Sequence, residues 1–421
     1  MARIENIKSE EIIDSRGVPT LKTSVFLQGG AIGETSVPSG TSTGAHEAYE
    51  LRDRDPKHYS GLGVQKAVAN IQGVILQSVR GLEASDQKRV DKSLIELDGT
   101  EKKMRLGANA MLSVSLANAV AQANNQQIPL YRHIRKNILN DPNKVFDLPL
   151  LMANVIEGGQ HVTHGLDFQE FLVLPKGFRF FSEGYTNIKK LIDSLREKIK
   201  QKRLNHSLGM EGGFAAHLRK NTDAIELIEA AIDEVKLYKE GFGFGLDIAA
   251  TNIFGKSGYQ TQDFTQAVGK DEYLDFVEKI SKKYKLYSIE DPVVDDDWDG
   301  WSRLTKHLSP ETLVIGDDLT TTNTARLEIA ISRKSVTGVV IKPNQIGTLS
   351  ETLNFITVAK QAGLKTAVSH RSGETDDTFI CDLAVAINAD HIKIGSPLKK
   401  ERKVKYDRLL EIEREIAGAN Y

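Results

Sequence analysis

The chain has 421 residues, 40% of them hydrophobic, which is enough for two domains or for one barrel with an addition. Its charged residues nearly cancel to a net charge of −2, which indicates neither a nucleic-acid groove nor a polybasic membrane anchor. The single cysteine excludes an intramolecular disulfide, and without a signal peptide or a run of roughly 18 apolar residues we expect a soluble cytoplasmic protein.

Residues 1–138 have the pattern of a small α+β domain. Strand-like runs at 12–13 and 20–27 lie between turn residues, including a Gly-Gly pair at 29–30, and indicate an antiparallel meander. Apolar residues then recur at helical spacing over 64–79 and 112–123, which predicts two helices. Strands followed by helices favour an α+β fold.

The polar segment 137–144 contains a proline and breaks this pattern, so we place a domain boundary there. In the second predicted domain, residues 147–421, helix-like stretches such as 188–199 and 225–235 alternate with short apolar runs. Such alternation predicts a parallel sheet or an α/β barrel. The apolar runs cover residues 168–174, 242–249, 286–290, 313–316, 338–341, 366–369 and 391–394.

Several of these runs end in a side chain that can perform chemistry. In a (β/α)₈ barrel the C-terminal ends of the strands surround one site, so successive polar endings converge there. A doubly wound sheet would instead focus its ligand at one switch point. The endings recur every 23 to 43 residues, about the length of a βα unit, and favour the barrel: Asp247, Glu290, Asp317, Lys342, His370 and Lys393.

Taken one at a time, these residues carry little information. An Asp after an apolar run is more often a helix cap or a turn residue. His370 alone is more often a packing histidine, and Lys342 or Lys393 alone could be a surface lysine. Their conjunction at barrel spacing is what favours a catalytic site.

Asp247, Glu290 and Asp317 form a set of hard oxygen ligands, which suits Mg²⁺ and would serve zinc poorly. A lysine near such a cation has a lowered pKa, because the cation disfavours a second positive charge, and it can then act as a general base. The implied substrate has an acidic C–H beside a carboxylate.

Three loops add to this pattern. Residues 36–44 are small and rich in hydroxyl groups and could form a lid over an anionic ligand, although a flexible surface loop is the simpler interpretation. Arg371 and Ser372 stand together after a strand, which suits a phosphate. Residues 209–213 place Glu211 in a tight turn, which is a weak signal when taken alone.

These motifs resemble those of the enolase (phosphopyruvate hydratase) family. The resemblance runs from about residue 3 to about residue 416, and many motifs occur in the same order, which makes it specific. The stretches that carry it are 13–17, 37–44, 97–100, 107–110, 169–171, 288–291, 316–319, 342–347 and 369–374.

The resemblance implies an N-terminal α+β domain that caps an enolase-type (β/α)₈ barrel, and the dehydration of 2-phospho-D-glycerate to phosphoenolpyruvate. It implies that Asp247, Glu290 and Asp317 hold a first Mg²⁺, and that Ser39, on the lid, helps to hold a second and contacts the substrate. Lys342 would remove the C2 proton, as enolase-superfamily sites use a Lys or His base with one or two Mg²⁺.

On the acid side, the resemblance implies that Glu211 protonates the departing 3-hydroxyl, with Glu170 beside it. Lys393 would balance the charge of the dianionic intermediate, which needs fixed positive charge aimed at it. His161, also assigned to catalysis, would lie near the substrate. The remaining contacts to the substrate and its phosphate would come from Gln169, His370, Arg371 and Ser372.

The resemblance further implies a small phosphorylated three-carbon acid as ligand, two Mg²⁺ per active site, and a homodimer or larger homo-oligomer. Neither nucleic acid nor a membrane is required. We expect a cytoplasmic enzyme of glycolysis, reversible in gluconeogenesis, and enolase-like proteins are also reported at cell surfaces.

Five positions depart from the pattern of the family. Met210 stands where the usual turn Gly-Asp-Glu-Gly-Gly has Asp, and Glu157 stands where Asn usually precedes Gly-Gly. Asn252 replaces a common Glu, while Val18 and Lys22 replace an Asn and a Glu in strands where family dimers pack. We expect the lost carboxylate at position 210 to change the pKa or the packing of the neighbouring acid, as in a divergent paralogue.

Two other hypotheses remain open. An enolase-like enzyme that acts on a phosphonate analogue would keep the chemistry and change the pocket contacts. A fold retained for binding or structural duty would have weak catalysis. The complete set of acid, base and ligand residues argues against the second hypothesis, since drift would strike those residues first.

Overall fold

A computed structural model describes residues 2–40, 45–142, 144–235 and 239–418. Residues 41–44 of the predicted lid lie outside these ranges. Within the described part of the chain, no helix combines the length and the apolar character that crossing a membrane requires.

The N-terminal domain begins with the predicted antiparallel meander. Strands β1 (Ile4–Ile13), β2 (Pro19–Leu27) and β3 (Ile32–Ser36) pair in that order. Gly29 and Gly30 form the turn between β2 and β3 with φ values of +100° and +92°, a backbone conformation that glycine adopts without steric cost.

Helices then cover one face of this sheet. The helix α4 (Ala108–Asn125) is buried on nearly all sides and packs on β2 and β3, as an apolar-rich helix in a core does. Gly33 permits this contact, since a Cβ there would lie 2.0 Å from the backbone nitrogen of Ala121. The other helices are α1 (Gln65–Asn70), α2 (Leu76–Val79), α3 (Gln87–Asp98) and α5 (Leu130–His133), with π-helical segments Ile71–Ile75 and Ile134–Ile138.

The second part of the chain is a closed eight-stranded barrel wrapped by helices, as the resemblance implied. The ring order is β10, β11, β12, β13, β4, β5, β6, β9. Its strands are β4 (Leu150–Glu157), β5 (Glu170–Leu174), β6 (Gly243–Asp247), β9 (Ser288–Glu290), β10 (Leu313–Gly316), β11 (Gly338–Ile341), β12 (Lys365–Ser369) and β13 (His391–Lys393). A small hairpin, β7 (Phe254–Gly255) and β8 (Gly258–Tyr259), lies outside the ring.

The barrel helices are amphipathic and bury their apolar faces against the strands. They are α6 (Phe181–Gln201), α7 (Asn221–Glu234), α8 (Lys270–Lys283), α9 (Trp298–Leu308), α10 (Thr324–Arg333), α11 (Leu349–Gln361), α12 (Phe379–Ala386) and α13 (Lys400–Gly418).

Two strand predictions need correction. The strand β4 was not among the seven predicted apolar runs. The strand β5 is antiparallel to both of its neighbours, β4 and β6, whereas the other neighbouring strands of the ring pair in parallel. The start of β5 therefore lies at the same end of the barrel as the C-terminal ends of the other strands.

The N-terminal domain docks on that end of the barrel. Ser39 and Gly373 exchange two backbone hydrogen bonds of 2.8 and 2.9 Å, and the backbone N–H of Ser15 donates to the carbonyl of Glu374 at 2.8 Å. Lys103 and Glu351 form an ion pair of 2.7 Å between the domains. The domain therefore caps the barrel mouth, while the exact boundary between residues 138 and 147 stays a prediction.

Candidate active site

Five of the six predicted strand endings line one cavity at the barrel mouth, and the sixth, Glu290, contacts the lining residue Lys393. Asp247, Glu290 and Lys393 are the last residues of their strands, and Asp317, Lys342 and His370 follow theirs directly. The cavity is lined by His161, Gln169, Glu170, Glu211, Asp247, Ala249, Asp291, Asp317, Asp318, Lys342, Ser369, His370, Arg371, Ser372 and Lys393. Parallel strands explain this convergence, because their C-terminal ends meet at one end of a barrel.

The reversed strand β5 adds residues that the strand-ending argument alone could not supply. Glu170 begins β5 and pairs in register with Asp247 on one side and with Glu157, the last residue of β4, on the other. Gln169 precedes it, and its amide lies 3.5 Å from Asp247 Oδ2. Reversal thus places a carboxylate at the cavity from the beginning of a strand.

Lys393 lies at the centre of three buried carboxylates. Its Nζ contacts both oxygens of Glu290 at 2.7 and 2.8 Å, Glu170 Oε2 at 2.8 Å and Asp247 Oδ2 at 3.3 Å. Burial lowers the pKa of Lys393, but the carboxylates of Glu170, Glu290 and Asp247 outweigh burial and raise it well above its usual value. Lys393 is therefore a fixed positive charge.

Lys342 lies across the cavity in an ion pair with Asp317. Burial lowers the pKa of Lys342, but the attraction of Asp317 outweighs it, so the pKa is raised above the usual value. The expectation of a lowered pKa applies to a lysine beside a bound cation, so it stays a prediction, and the raised pKa reflects the ion pair with Asp317. Gln345 also donates to Asp317 Oδ1 at 3.0 Å, which holds that carboxylate in place.

Glu211 and Glu170 form a coupled carboxyl pair beside two imidazoles. Glu211 Oε2 lies 3.1 Å from His370 Nε2, and Glu211 Oε1 lies 3.7 Å from His161 Nε2. Burial raises the pKa of Glu170. Burial also acts on Glu211, but His161 and a hydrogen bond from Glu170 outweigh it and lower the pKa of Glu211. The proton affinity of Glu170 is therefore raised and that of Glu211 lowered, as happens between closely spaced carboxyls.

Arg371 projects its guanidinium into the cavity, where Glu47 of the N-terminal domain meets it. Nη1 and Nη2 of Arg371 donate to the two oxygens of Glu47 at 3.0 and 3.1 Å, and Nη1 also donates to Asn344 at 3.0 Å. This forked geometry is the one by which arginine binds carboxylate or phosphate. Sequence reasoning missed Glu47 and Asn344, although Asn344 lies inside the family-like stretch 342–347.

Arg402 is a second buried arginine that sequence reasoning missed. It lies on α13, is fully buried, and donates from Nη1 to His370 Nδ1 and to the carbonyl of Arg371, both at 2.7 Å. Its Nη2 donates to the carbonyl of Ser372 at 2.8 Å. These bonds fix the loop that carries the predicted phosphate contacts. No sequence signal marked Arg402, which stands within a charged helix.

The role of Ser39 as a metal ligand stays a prediction, and in this structure its hydroxyl bonds to residues of the N-terminal domain. The Ser39 hydroxyl donates to Glu50 at 3.1 Å and accepts from Arg52 at 2.8 Å. It is not among the residues that line the cavity. Its backbone bonds to Gly373 anchor the start of the lid. The other hydroxyl residues of the predicted lid, 41–43, lie outside the described residues.

The donor set fits a divalent cation. Burial raises the pKa values of Glu290, Asp291 and Asp318 well above normal, and repulsion among these carboxylates, Asp247 and Asp317 adds to this shift. The cavity thus holds more buried negative charge than its lysines balance, and oxygen donors suit Mg²⁺. Within the described chain, carboxylate oxygens of Asp291, Asp317 and Asp318 lie within 4.8 Å of one another.

In that group Asp291 has a structural task, because its carboxylate accepts the backbone N–H groups of Asp317 and Asp318, both at 2.9 Å. The predicted ligand set of Asp247, Glu290 and Asp317 stays a prediction, and Asp318, whose carboxylate lies close to that of Asp317, is an added candidate. The lysines Lys393 and Lys342 bind this set in the structure.

A closed α/β barrel whose strand ends surround one buried polar cavity defines a barrel enzyme. Residues 4–134 match the family model described as "Enolase, N-terminal domain", and residues 145–421 match "Enolase, C-terminal TIM barrel domain". The chain belongs to the enolase family, and it is a lyase of the enolase superfamily. The resemblance read from the motifs is confirmed.

Proposed function

We propose that this protein is a Mg²⁺-dependent enzyme that dehydrates 2-phospho-D-glycerate to phosphoenolpyruvate, and that the reaction is reversible. One observation carries the proposal. Lys342 follows β11 and Glu170 begins β5, and these strands lie four places apart in the ring of eight. A base and an acid pair therefore face the same cavity from opposite walls, as elimination across a carbon–carbon bond requires.

The proton and electron balance follows from these positions. Neutral Lys342 would take the C2 proton, and the C–H electrons would pass into the enolate of the adjacent carboxylate. Those electrons would then form the C2–C3 double bond while the C3–O bond breaks. The proton held by the Glu170–Glu211 pair would go to the departing oxygen, which leaves as water.

Positive charge must stabilise the dianionic enolate. Lys393 supplies one fixed charge at the cavity. Mg²⁺, when bound by Asp247, Glu290 and Asp317, would polarise the substrate carboxylate and acidify its C2 proton. Lys342 would have to leave its ion pair with Asp317 before it could act as a base.

The phosphate would bind at Arg371 and Ser372. Both carboxylate oxygens of Glu47 occupy the guanidinium of Arg371. A substrate phosphate can use the same forked donors only after that carboxylate moves. We infer that the substrate phosphate replaces the Glu47 carboxylate on the guanidinium of Arg371.

An absorbance assay tests the proposal. Purified protein with Mg²⁺ and 2-phosphoglycerate should generate the ultraviolet absorbance of phosphoenolpyruvate, and EDTA should abolish it. A parallel assay should offer a phosphonate analogue of the substrate. No signal with 2-phosphoglycerate at high enzyme concentration would overturn the proposal, and turnover of the analogue alone would favour the related enzyme with a different substrate.

A further inference from the structure

Glu157 is a buried carboxylate that the proposed reaction does not use. It ends β4, is 0% exposed, and reaches the turn 209–213 that carries Glu211. Both of its oxygens accept the backbone N–H of Glu211, at 3.1 and 3.2 Å, and one of them also accepts the N–H of Gly213. One side chain thus binds the turn on both sides of the predicted acid.

Two glycines of this turn, Gly209 and Gly213, pack closely against the side chain of Glu157. A Cβ at position 209 would lie 2.1 Å from Glu157 Oε2, and a Cβ at position 213 would lie 3.0 Å from Glu157 Cγ. The turn therefore wraps closely over the carboxyl group. A change at position 157 must move the turn or leave its N–H groups without their acceptor, which costs about 1–3 kcal/mol per buried group.

Glu157 also faces the imidazole on the other side of the acid. Glu157 Oε2 lies 4.0 Å from His161 Nδ1, and His161 Nε2 lies 3.7 Å from Glu211 Oε1. His161 Nδ1 is buried and has no hydrogen-bond partner among the described residues. A small movement would close this gap. A carboxylate beside one ring nitrogen orients an imidazole and fixes which nitrogen carries its proton.

We propose that Glu157 is a positioning residue for the acid half of the reaction: it fixes the Glu211 turn through backbone N–H groups and orients His161 through Nδ1. This inference rests on the proposed function. It assigns a task to the last residue of the strand β4, where the sequence departs from the pattern of the family.

The number of hydrogen bonds that a carboxylate at position 157 can accept supports this role. An amide side chain at position 157 would present an NH₂ group to backbone donors, so it could not accept all three hydrogen bonds. Burial raises the pKa of Glu157 well above its usual value, and Glu211 adds to this through repulsion. The titratable groups that face Glu157 are therefore Glu211, Glu170 and His161. Burying an acid beside such neighbours is costly, and the hydrogen bonds to the turn offset part of that cost.

The test separates the two chemical steps in the full-length protein. The variants are Glu157→Gln and, as a matched buried carboxylate remote from the cavity, Asp382→Asn, whose partner is Arg408. For each, NMR in D₂O measures exchange of the C2 hydrogen of 2-phosphoglycerate, which reports on Lys342. Ultraviolet absorbance measures formation of phosphoenolpyruvate, which also requires the acid.

We expect Glu157→Gln to slow product formation at least tenfold through kcat, with C2 exchange within twofold of the wild-type rate and Asp382→Asn unchanged in both. Equal losses of both rates, or no loss, would overturn the inference. If Glu157→Gln fails to fold, Glu157→Asp carries the same test, because it keeps the acid and shortens its reach. Wild-type protein without either activity would overturn the proposed function itself.

Discussion

The two halves of the cavity are built in different ways. Asp317 and Lys342 directly follow the parallel strands β10 and β11, so the barrel register sets their positions. Glu211 stands in a turn between α6 and α7, and Glu170 begins the one reversed strand. We call the part of the cavity with Asp317 and Lys342 the base half, and the part with Glu170 and Glu211 the acid half. Strand geometry positions the base half, whereas buried hydrogen bonds hold the turn of the acid half.

The chemical surroundings differ in the same way. On the base half, carboxylates pair with lysines, as Asp317 does with Lys342. On the acid half, two imidazoles lie beside Glu211, while Glu170 is paired with Lys393. Both altered positions next to the predicted acid, 157 and 210, lie in this second half.

The largest expected effect is the loss of the base. Lys342→Ala should abolish exchange of the C2 hydrogen with solvent deuterium and slow product formation by roughly 10²–10⁴-fold, the usual contribution of a general base. Proton NMR of 2-phosphoglycerate in D₂O measures the exchange. Lys365→Ala, a half-exposed lysine paired with Asp390, is the matched control and should behave as wild type. Persistent exchange would mean that another group is the base.

Loss of the acid should slow product formation without stopping exchange of the C2 hydrogen. Glu211→Gln keeps the size of the side chain but cannot share a proton with Glu170. We expect product formation to fall by roughly 10²–10³-fold while C2 exchange continues. The same two measurements serve, with circular dichroism to verify folding. Loss of exchange together with product formation would show that the two halves do not act separately.

Much of the base half could be predicted from the sequence. Apolar runs with polar endings located Asp247, Glu290, Asp317, Lys342 and Lys393, because the length of a run and its last residue are local features. The direction of β5 could not be predicted in this way. An apolar run does not indicate whether the strand runs parallel or antiparallel to its neighbours. Only the pairing with β4 and β6 shows the direction of β5.

Contacts between residues that lie far apart in the sequence could not be predicted from the apolar runs and their polar endings either. Glu47 meets Arg371 across 324 positions of sequence, and Arg402 meets His370 from another helix. Such pairs depend on how distant segments of the chain pack, which no local spacing encodes. The hydrogen bonds of the Ser39 hydroxyl to Glu50 and Arg52 could not be predicted either, and its role as a metal ligand stays a prediction.

A substitution at the contact between Glu47 and Arg371 should have a smaller effect, on the binding of phosphate and substrate. Glu47→Gln removes the negative charge that competes with phosphate for the guanidinium. We expect inorganic phosphate to raise the melting temperature of this variant more than that of the wild type, because tighter binding stabilises the folded state more. The KM for the substrate should fall roughly three- to tenfold, which is about 0.7–1.4 kcal/mol. Glu351→Gln, at the other domain contact, is the control, and equal shifts in all three proteins would contradict the idea.

The smallest expected effect concerns the altered turn. Met210 is half-buried beside Glu211, and its carbonyl accepts from Lys399 at 3.0 Å. Met210→Asp would add a negative charge next to the acid pair and so raise its apparent pKa. The pair must hold a proton to act as the acid, so activity would survive to higher pH.

We expect the alkaline limb of kcat/KM to move upward by up to about one pH unit, since Lys399 and solvent screen part of the new charge. Met104→Asp is the matched control, because Met104 is 61% exposed in the N-terminal domain. A profile that does not move in either variant would make position 210 a matter of packing. Glu157 alone would then account for how the acid half differs from the base half.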